Sequence, residues 1–238
     1  MDIILTTSCN KKCEGCCYLF NKYKTGEHLD ADKIINNIKK LQPVIESYEK
    51  TVSIIGGETF LYPDLVKIVN FVKTLNIEQC VIFTNGTIIP DYFEELCKAV
   101  NNKFHFVIGN YGDPEVINFL KKNFTKNEIS CVVRPDDDPW VEHGDFINHD
   151  EPKVEFCKFR YLTLMKDRVY ACGRFAQAVN LGLIPIENLE ENEYVDLDDE
   201  QLFEKIDTMM KESYDTFSKT CNYCLRVSVK RMIITQGK

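Results

Sequence analysis

Tryptophan occurs once in this 238-residue chain and histidine four times. His28, His105, His143 and His149 lack the spacing of metal ligands, so a histidine-built metal site is not expected. Trp140 reads as core or pocket wall. No apolar run approaches the roughly 20 residues that cross a bilayer. The opening Met1-Asp2-Ile3-Ile4-Leu5 also lacks the basic start and long apolar stretch of a secretory leader. A cytoplasmic protein with no membrane partner is therefore expected. Basic charge is in short supply too: 29 Lys and Arg stand against 37 Asp and Glu, for a formal net charge of −8. With Lys scattered rather than clustered, this argues against nucleic acid as the main partner.

What the chain does have is cysteine, eleven in all. A reducing cytoplasm does not favour structural disulfides, so thiols at short, regular spacings point to metal or catalysis. Hydrophobic residues make up 44% of the chain, enough for a buried core. The length suits one larger domain or a domain plus a small appendage.

The first two thirds alternate strand-like apolar runs with amphipathic helical segments. Strands are expected at Met1 to Thr6, Thr51 to Ile55, Cys80 to Thr84, Phe104 to Ile108 and Ile129 to Arg134. Asp30 is a plausible N-cap for a helix with Ile34, Ile35, Ile38 and Leu41 on one face, bent or ended by Pro43. Further helices follow Pro63 and cover Asp91 to Val100 and Pro114 to Lys121. Such alternation favours parallel strands joined by right-handed crossovers. The expected fold class is α/β, a partial open (β/α)6-like barrel over residues 1–150, with a sixth strand near Tyr161 to Met165. The reactive groups of such folds sit at the carboxyl ends of the strands. From Pro135 the pattern changes, and residues 151–238 read as a small α+β domain. Within it Tyr161 to Cys172 suggests a hairpin turning near Lys166-Asp167-Arg168, and Asp199 to Met210 a helix.

Cys9, Cys13 and Cys16 form C-x3-C-x2-C in the loop after the first strand. Three thiolates can hold three irons of a [4Fe–4S] cube and leave the fourth open; a zinc loop completed by Cys17 is the alternative. The spacing, its place after strand one, and Gly56-Gly57-Glu58 after strand two together resemble the radical SAM superfamily. The resemblance implies that S-adenosylmethionine (SAM) chelates the open iron and that the Gly-Gly-Glu turn contacts its amino group. Glycines allow close backbone approach, and a carboxylate suits an ammonium. The chain departs from the family in carrying Gly15 where an aromatic usually precedes the third Cys, with Tyr18 just beyond. By position, Asn85, Asn110 and Tyr111 are candidates to bond ribose or substrate hydroxyls, and Arg134 to hold the SAM carboxylate. Asn85-Gly86 and Asn110 can equally serve as turn residues, and Arg134 can pair with Asp136 or Asp137.

A second thiol group, Cys157, Cys172, Cys221 and Cys224, can complete a tetrahedral zinc site or a fully ligated [4Fe–4S] cluster. Its layout resembles the twitch domain, a shortened SPASM module that holds one auxiliary cluster in radical SAM enzymes, among them dehydrogenases that oxidise an alcohol of an aminocyclitol. Cys80 and Cys97 fit apolar patterns and read as packing residues.

The resemblance implies reductive SAM cleavage to a 5′-deoxyadenosyl radical and hydrogen abstraction from a small polar molecule, with oxidation of a sugar or cyclitol carbinol to a ketone as the leading expectation. A small-molecule substrate and an electron donor such as flavodoxin or ferredoxin are the implied partners. The alternatives are an epimerase, with Cys17 or Cys131 as hydrogen-atom donor, or a peptide- or protein-modifying maturase or activating enzyme. A different class is a non-catalytic Fe–S or zinc binding module.

Overall fold

Five short apolar runs, each followed by a longer amphipathic one, build the first of two units. The computed structural model describes residues 1–135, 140–141, 148, 161–212, 219–224 and 233–234. The chain divides into one unit drawn from Met1–Lys11 and Lys24–Asp138 and another drawn from Lys12–Tyr23 and Pro139–Gln236. The loop Lys12–Tyr23, which the sequence reading places in the barrel domain, thus groups with the second unit.

In the first unit β1 (Asp2–Thr6), β2 (Thr51–Gly56), β3 (Gln79–Thr84), β4 (Phe104–Ile108) and β5 (Ser130–Val133) lie in the order β5-β4-β3-β2-β1, every neighbouring pair parallel. All of β1 is buried, as expected of a strand covered on both faces. Ile3, Ile54, Ile82, Phe106 and Cys131 follow one another in register across the sheet. Crossovers run through α1 (Ala31–Val44), α2 (Leu65–Val72), α3 (Phe93–Ala99) and α4 (Pro114–Lys126). The N-caps of two follow from local chemistry. Asp30 accepts from the Lys33 N–H at 2.7 Å, and Asp113, one residue before Pro114, accepts from the Glu115 N–H at 2.8 Å. The α4 stripe Ile117, Leu120 and Phe124 is buried, and Phe124 stacks on Phe106 with ring centroids 4.3 Å apart.

Pro43 does not end α1. It occupies the last turn, the helix runs on to Val44, and a π-helical turn, Ile45–Glu49, follows. Lys50, in the left-handed region, closes that turn with an N–H bond to the Ile45 carbonyl. A proline this close to a helix end removes only one backbone bond, and buried Leu41, Val44 and Ile45 keep the segment packed.

In the second unit β7 (Thr163–Met165), β8 (Arg168–Tyr170) and β9 (Tyr194–Asp196) form an antiparallel meander. The hairpin expected between Tyr161 and Cys172 is present, with Lys166 at positive φ in its turn. The strand expected near Tyr161 to Met165 is present as β7, and it pairs with β8 antiparallel. A two-residue pair joins β6 (Trp140–Val141) to β10 (Ile233–Ile234). Helices α5 (Gly173–Asn180) and α6 (Leu202–Glu212) complete the unit. Among the described residues no helix is long and apolar enough to cross a membrane.

Candidate functional site

A parallel sheet puts the carboxyl ends of its strands along one edge, and the chemistry-bearing residues of the first unit follow those ends. Cys9 comes after β1, Gly57 and Glu58 after β2, Asn85 after β3, Asn110 and Tyr111 after β4, and Arg134 after β5. The Arg134 N–H donates to the Ile108 carbonyl, the Tyr111 N–H to that of Asn85, and the Gly109 N–H to that of Thr84. The loops are thus tied in strand order.

Gly57 explains why the turn after β2 needs a glycine. A Cβ there would stand 2.2 Å from the Ser8 carbonyl oxygen and 2.8 Å from the Cys9 Cβ. Only the bare backbone can pass so close. Hydrogen bonds from Gly57 N–H to the Thr6 carbonyl and from Glu58 N–H to the Ser8 carbonyl, both 2.9 Å, hold the turn against the first cysteine.

Glu58 departs from the sequence expectation. Its carboxylate, expected to meet an ammonium, is 1% exposed and committed within the protein. It accepts from the Phe60 N–H at 2.9 Å, the Thr84 hydroxyl at 2.7 Å and the Asn85 N–H at 2.6 Å. Burial pushes its pKa upward, and these three donors act against the rise. The physical reason is local: the ends of β2 and β3 leave buried donors that only an acceptor-rich group satisfies. In this structure the Glu58 carboxylate is therefore engaged by the protein's own donors.

Asn85 is likewise engaged. Its Nδ2 donates to Asn10 Oδ1 at 2.9 Å and lies 4.0 Å from Cys9 Sγ, while its Oδ1 accepts from the Thr87 N–H and hydroxyl. Asn10 Nδ2 donates back to the Thr87 hydroxyl at 2.7 Å. This ring of Asn10, Thr87 and Asn85 fastens the residue after Cys9 to the loop after β3. Asn10 and Thr87 escaped the sequence reading, because neither residue type signals a role without its partner. Tyr111 lays its ring over Gly109, where a Cβ would be 2.9 Å from it.

Cys131 shares its sheet face with Phe106 and hence with α4; Lys121 of that helix lowers the thiol pKa that burial raises. The side chain is thereby directed away from the face that carries His105 and Val107. A hydrogen-atom donor serving a site on that opposite face would be misplaced there.

In the second unit Cys13 and Cys16 share a turn closed by a bond from the Cys16 N–H to the Cys13 carbonyl at 3.2 Å. Burial pushes the Cys16 thiol up, against backbone N–H bonds from Phe20, Tyr18 and Asn21 and the charge of Arg174. Tyr18 stacks on Phe20 at 5.8 Å and packs on Gly173, where a Cβ would be 2.4 Å from its ring. Cys17 is half-buried, and its carbonyl accepts from Arg174 Nη1 at 3.2 Å.

Cys172 is the residue before α5, and Cys221 and Cys224 are buried on the turn Lys219–Tyr223 and its end. The Cys224 N–H donates to the Cys221 carbonyl at 3.0 Å. Buried Glu193 anchors this turn: its Oε1 accepts from the Thr220 N–H at 3.0 Å and from the Thr220 hydroxyl, and its Oε2 from the Glu190 N–H at 2.8 Å. Cys157 lies outside the described residues.

Among the described residues no three His, Cys, Asp or Glu side chains converge closely enough to hold a single metal ion. The donor chemistry of Cys9, Cys13 and Cys16 fits a larger group: three thiols on one short loop, with a side-chain-free approach at Gly57 beside the first.

Comparison with known proteins agrees with the geometry. A "Probable GTP 3',8-cyclase" of Methanococcus maripaludis strain C6 is 30% identical over 95 residues, 40% of this chain and 31% of that protein. The strain C7 protein of the same name is 24% identical over 197 residues, 81% of this chain and 61% of that protein. The chain therefore matches between about a third and three fifths of the length of these curated relatives. The crystal structure of BtrN in complex with AdoMet and 2-DOIA shares the fold, with a TM-score of 0.58 at 15% identity over 96% of this chain and 93% of that one. The Radical SAM superfamily pattern matches residues 3–125, more than half the chain, and takes in the Cys9 loop, Gly56-Gly57-Glu58 and Asn85. This chain belongs to the radical SAM superfamily, whose members imply a [4Fe–4S] cluster and SAM.

Proposed function

We propose that the chain is a radical SAM enzyme that oxidises a carbinol of a small polar substrate, a sugar or cyclitol, to a ketone. In this reading Cys9, Cys13 and Cys16 hold the SAM-binding [4Fe–4S] cluster, and Cys157, Cys172, Cys221 and Cys224 an auxiliary one in a twitch-like domain over residues 151–238. The observation that carries the reading is the seating of Gly57 on Cys9 at the carboxyl ends of β1 and β2. When bound, the first cluster supplies the electron that splits SAM to methionine and a hydrogen-abstracting 5′-deoxyadenosyl radical, and the auxiliary cluster an acceptor for the substrate's second electron.

The chain's own residues supply placement. Gly56 and Gly57 present backbone where SAM's methionine end is expected. Glu58 keeps the ends of β2 and β3 together from beneath. Asn85 holds Asn10 and thereby Cys9. Asn110, Tyr111 and Arg134, at the ends of β4 and β5, are placed for polar contacts to SAM or substrate, Arg134 through its planar fork. Holding the target C–H bond in reach of the radical and excluding water is the remaining task of these loops. A reductant such as flavodoxin or ferredoxin completes the scheme.

The curated relatives favour a second reading, an intramolecular ring closure of a purine nucleotide, since the match to a probable GTP 3',8-cyclase covers 81% of this chain. Product mass separates the two. Anaerobic reactions with dithionite and SAM, offered aminocyclitols and GTP in turn, should yield 5′-deoxyadenosine above the substrate-free level. A product two hydrogens lighter supports oxidation; a GTP-derived product of unchanged mass supports ring closure. No 5′-deoxyadenosine with any substrate, from protein holding iron and sulfide, would overturn both.

A further inference from the structure

The segment Lys12–Tyr23 is built as a staircase of turns. The Cys16 N–H donates to the Cys13 carbonyl at 3.2 Å, the Leu19 N–H to the Cys16 carbonyl at 3.1 Å and the Lys22 N–H to the Leu19 carbonyl at 2.9 Å. Each turn begins on the residue that ends the one before, so Cys13, Cys16, Leu19 and Lys22 are its joints. The joint at Leu19 is strained: its φ is 59°, a left-handed value uncommon for a residue with a bulky side chain. Such a conformation persists only where the surroundings hold it. Leu19 is buried with Phe175 and Ala178 of α5.

The end of the staircase is held as well. Lys12 Nζ donates to the Tyr23 carbonyl at 2.7 Å and closes the neck of the loop. The Tyr23 hydroxyl donates to Gln177 Oε1 at 2.6 Å, a buried bond across 154 residues, and accepts from Asn180 Nδ2 at 2.7 Å. Gln177 and Asn180 are three residues apart on α5 and therefore share a face. Gln177 is 0% exposed, and its Nε2 has no hydrogen-bond partner among the described residues. A buried amide with one end unmet costs stability, and an apolar side chain of similar volume would fill the space without that cost. The glutamine is explained by what its other end does, which is to accept from Tyr23.

We propose that Tyr23, seated by Gln177 and Asn180, is a positioning residue for Cys13 and Cys16: it fixes the far end of the staircase and so sets where the two thiolates stand when the loop takes up a cluster. The proposal rests on the reading that Cys9, Cys13 and Cys16 hold the SAM-binding cluster. Two of those three ligands sit on one strained staircase, and relaxation at Leu19 displaces both together. An open iron stands where its thiolates put it, so a loop freed at Tyr23 holds SAM less tightly.

The test compares wild type with Tyr23→Phe, Gln177→Leu and Gln177→Glu. The metal-free proteins are labelled with a thiol reagent, and the rate at each cysteine is read by peptide mass spectrometry. Cys80, 0% exposed on β3, reports global unfolding. Tyr23→Phe and Gln177→Leu should label Cys13 and Cys16 about tenfold faster, the equilibrium effect of one lost hydrogen bond, with Cys80 unchanged. After anaerobic reconstitution, the change that SAM makes in the reduced-cluster EPR spectrum should need about tenfold more SAM in the same two variants. Gln177→Glu keeps an oxygen for the phenol to donate to and should stay near wild type in both measurements. Unchanged labelling of Cys13 and Cys16 overturns the proposal, and so does equal acceleration at Cys80. Faster labelling with an unchanged SAM requirement makes the contact structural only and also overturns it. Where Tyr23→Phe does not fold, Asn180→Ala takes its place with the same supporting and overturning results. A wild-type protein whose iron and EPR signals survive in the Cys9→Ala, Cys13→Ala, Cys16→Ala triple variant overturns the cluster reading itself, and the proposal with it.

Discussion

The Glu58 carboxylate is bonded to Asn85 across 27 residues of sequence, by a 2.6 Å hydrogen bond from the Asn85 N–H to Oε2. That bond welds the turn after β2 to the turn after β3, and Asn85 passes the constraint to Asn10 beside Cys9. The acid of Gly-Gly-Glu thus serves the protein's own donors, while Gly57 seats against Ser8 and Cys9.

Glu58→Gln should destabilise the apo protein by about 1–3 kcal/mol, the cost of a buried donor left unsatisfied. The variant keeps one acceptor oxygen but turns an NH2 group toward a backbone N–H. Urea unfolding at neutral pH measures the loss. A change below a few tenths of a kcal/mol would show that the three bonds carry no net stability.

The same carboxyl predicts a pH dependence. Its pKa is raised in the folded state by burial, so the folded chain holds its proton longer than the unfolded chain does. The associated stability is full below the unfolded value of 4.5 and is lost as pH rises through the folded value. Unfolding free energy of wild type should therefore fall from pH 4.5 upward more steeply than that of Glu58→Gln. Parallel pH curves would contradict this.

Gly57→Ala should prevent the turn from seating on Cys9, since the added methyl meets the Ser8 backbone at 2.2 Å. The expected outcome is reduced iron uptake at the first thiol group and loss of SAM cleavage, with the far-ultraviolet circular dichroism little changed. Native iron content and native 5′-deoxyadenosine formation would refute the assigned contact.

Thr220→Val removes one donor to Glu193 and leaves the other in place. About 1 kcal/mol of stability should go with it, and reaction of Cys221 and Cys224 with a thiol reagent should accelerate several-fold in the metal-free protein. An unchanged labelling rate would mean that the Glu193 anchor does not hold the cysteine turn closed.

Asn85→Ala opens the ring that holds Asn10. The expected result is weaker SAM binding and slower cluster loading at normal overall stability, read by equilibrium dialysis and by the rate of iron uptake. Identical values in wild type and variant would make the ring a loop decoration only.

Much of the first unit was readable from residue order. The alternation of β-branched runs with 3.6-period stripes located β1 to β5 and α1 to α4 within a few residues, and the Asp30 cap is where its side chain predicts. Pro43 marks where α1 gives way to the π-helical turn Ile45–Glu49, a continuation that the proline alone does not reveal. The roles of Glu58, Arg174 and Glu193 were not readable. Glu58 looked like a ligand contact because nothing local reveals that Thr84 and Asn85 will claim it. Arg174 meets Cys17 across 157 residues, and Glu193 meets Thr220 across 27, distances over which composition and period carry no information. The cysteine spacings marked the reactive loops but not which unit each would join.

That last point bears on how the protein is made. Lys12–Tyr23 is made well before the surfaces it packs on, Gly173, Phe175 and Cys224, which lie far downstream of it in the chain. Through most of translation the nascent chain carries Cys13, Cys16 and Cys17 on a loop without its packing partners. The packed form of that loop therefore waits on synthesis of the segment that carries Gly173, Phe175 and Cys224.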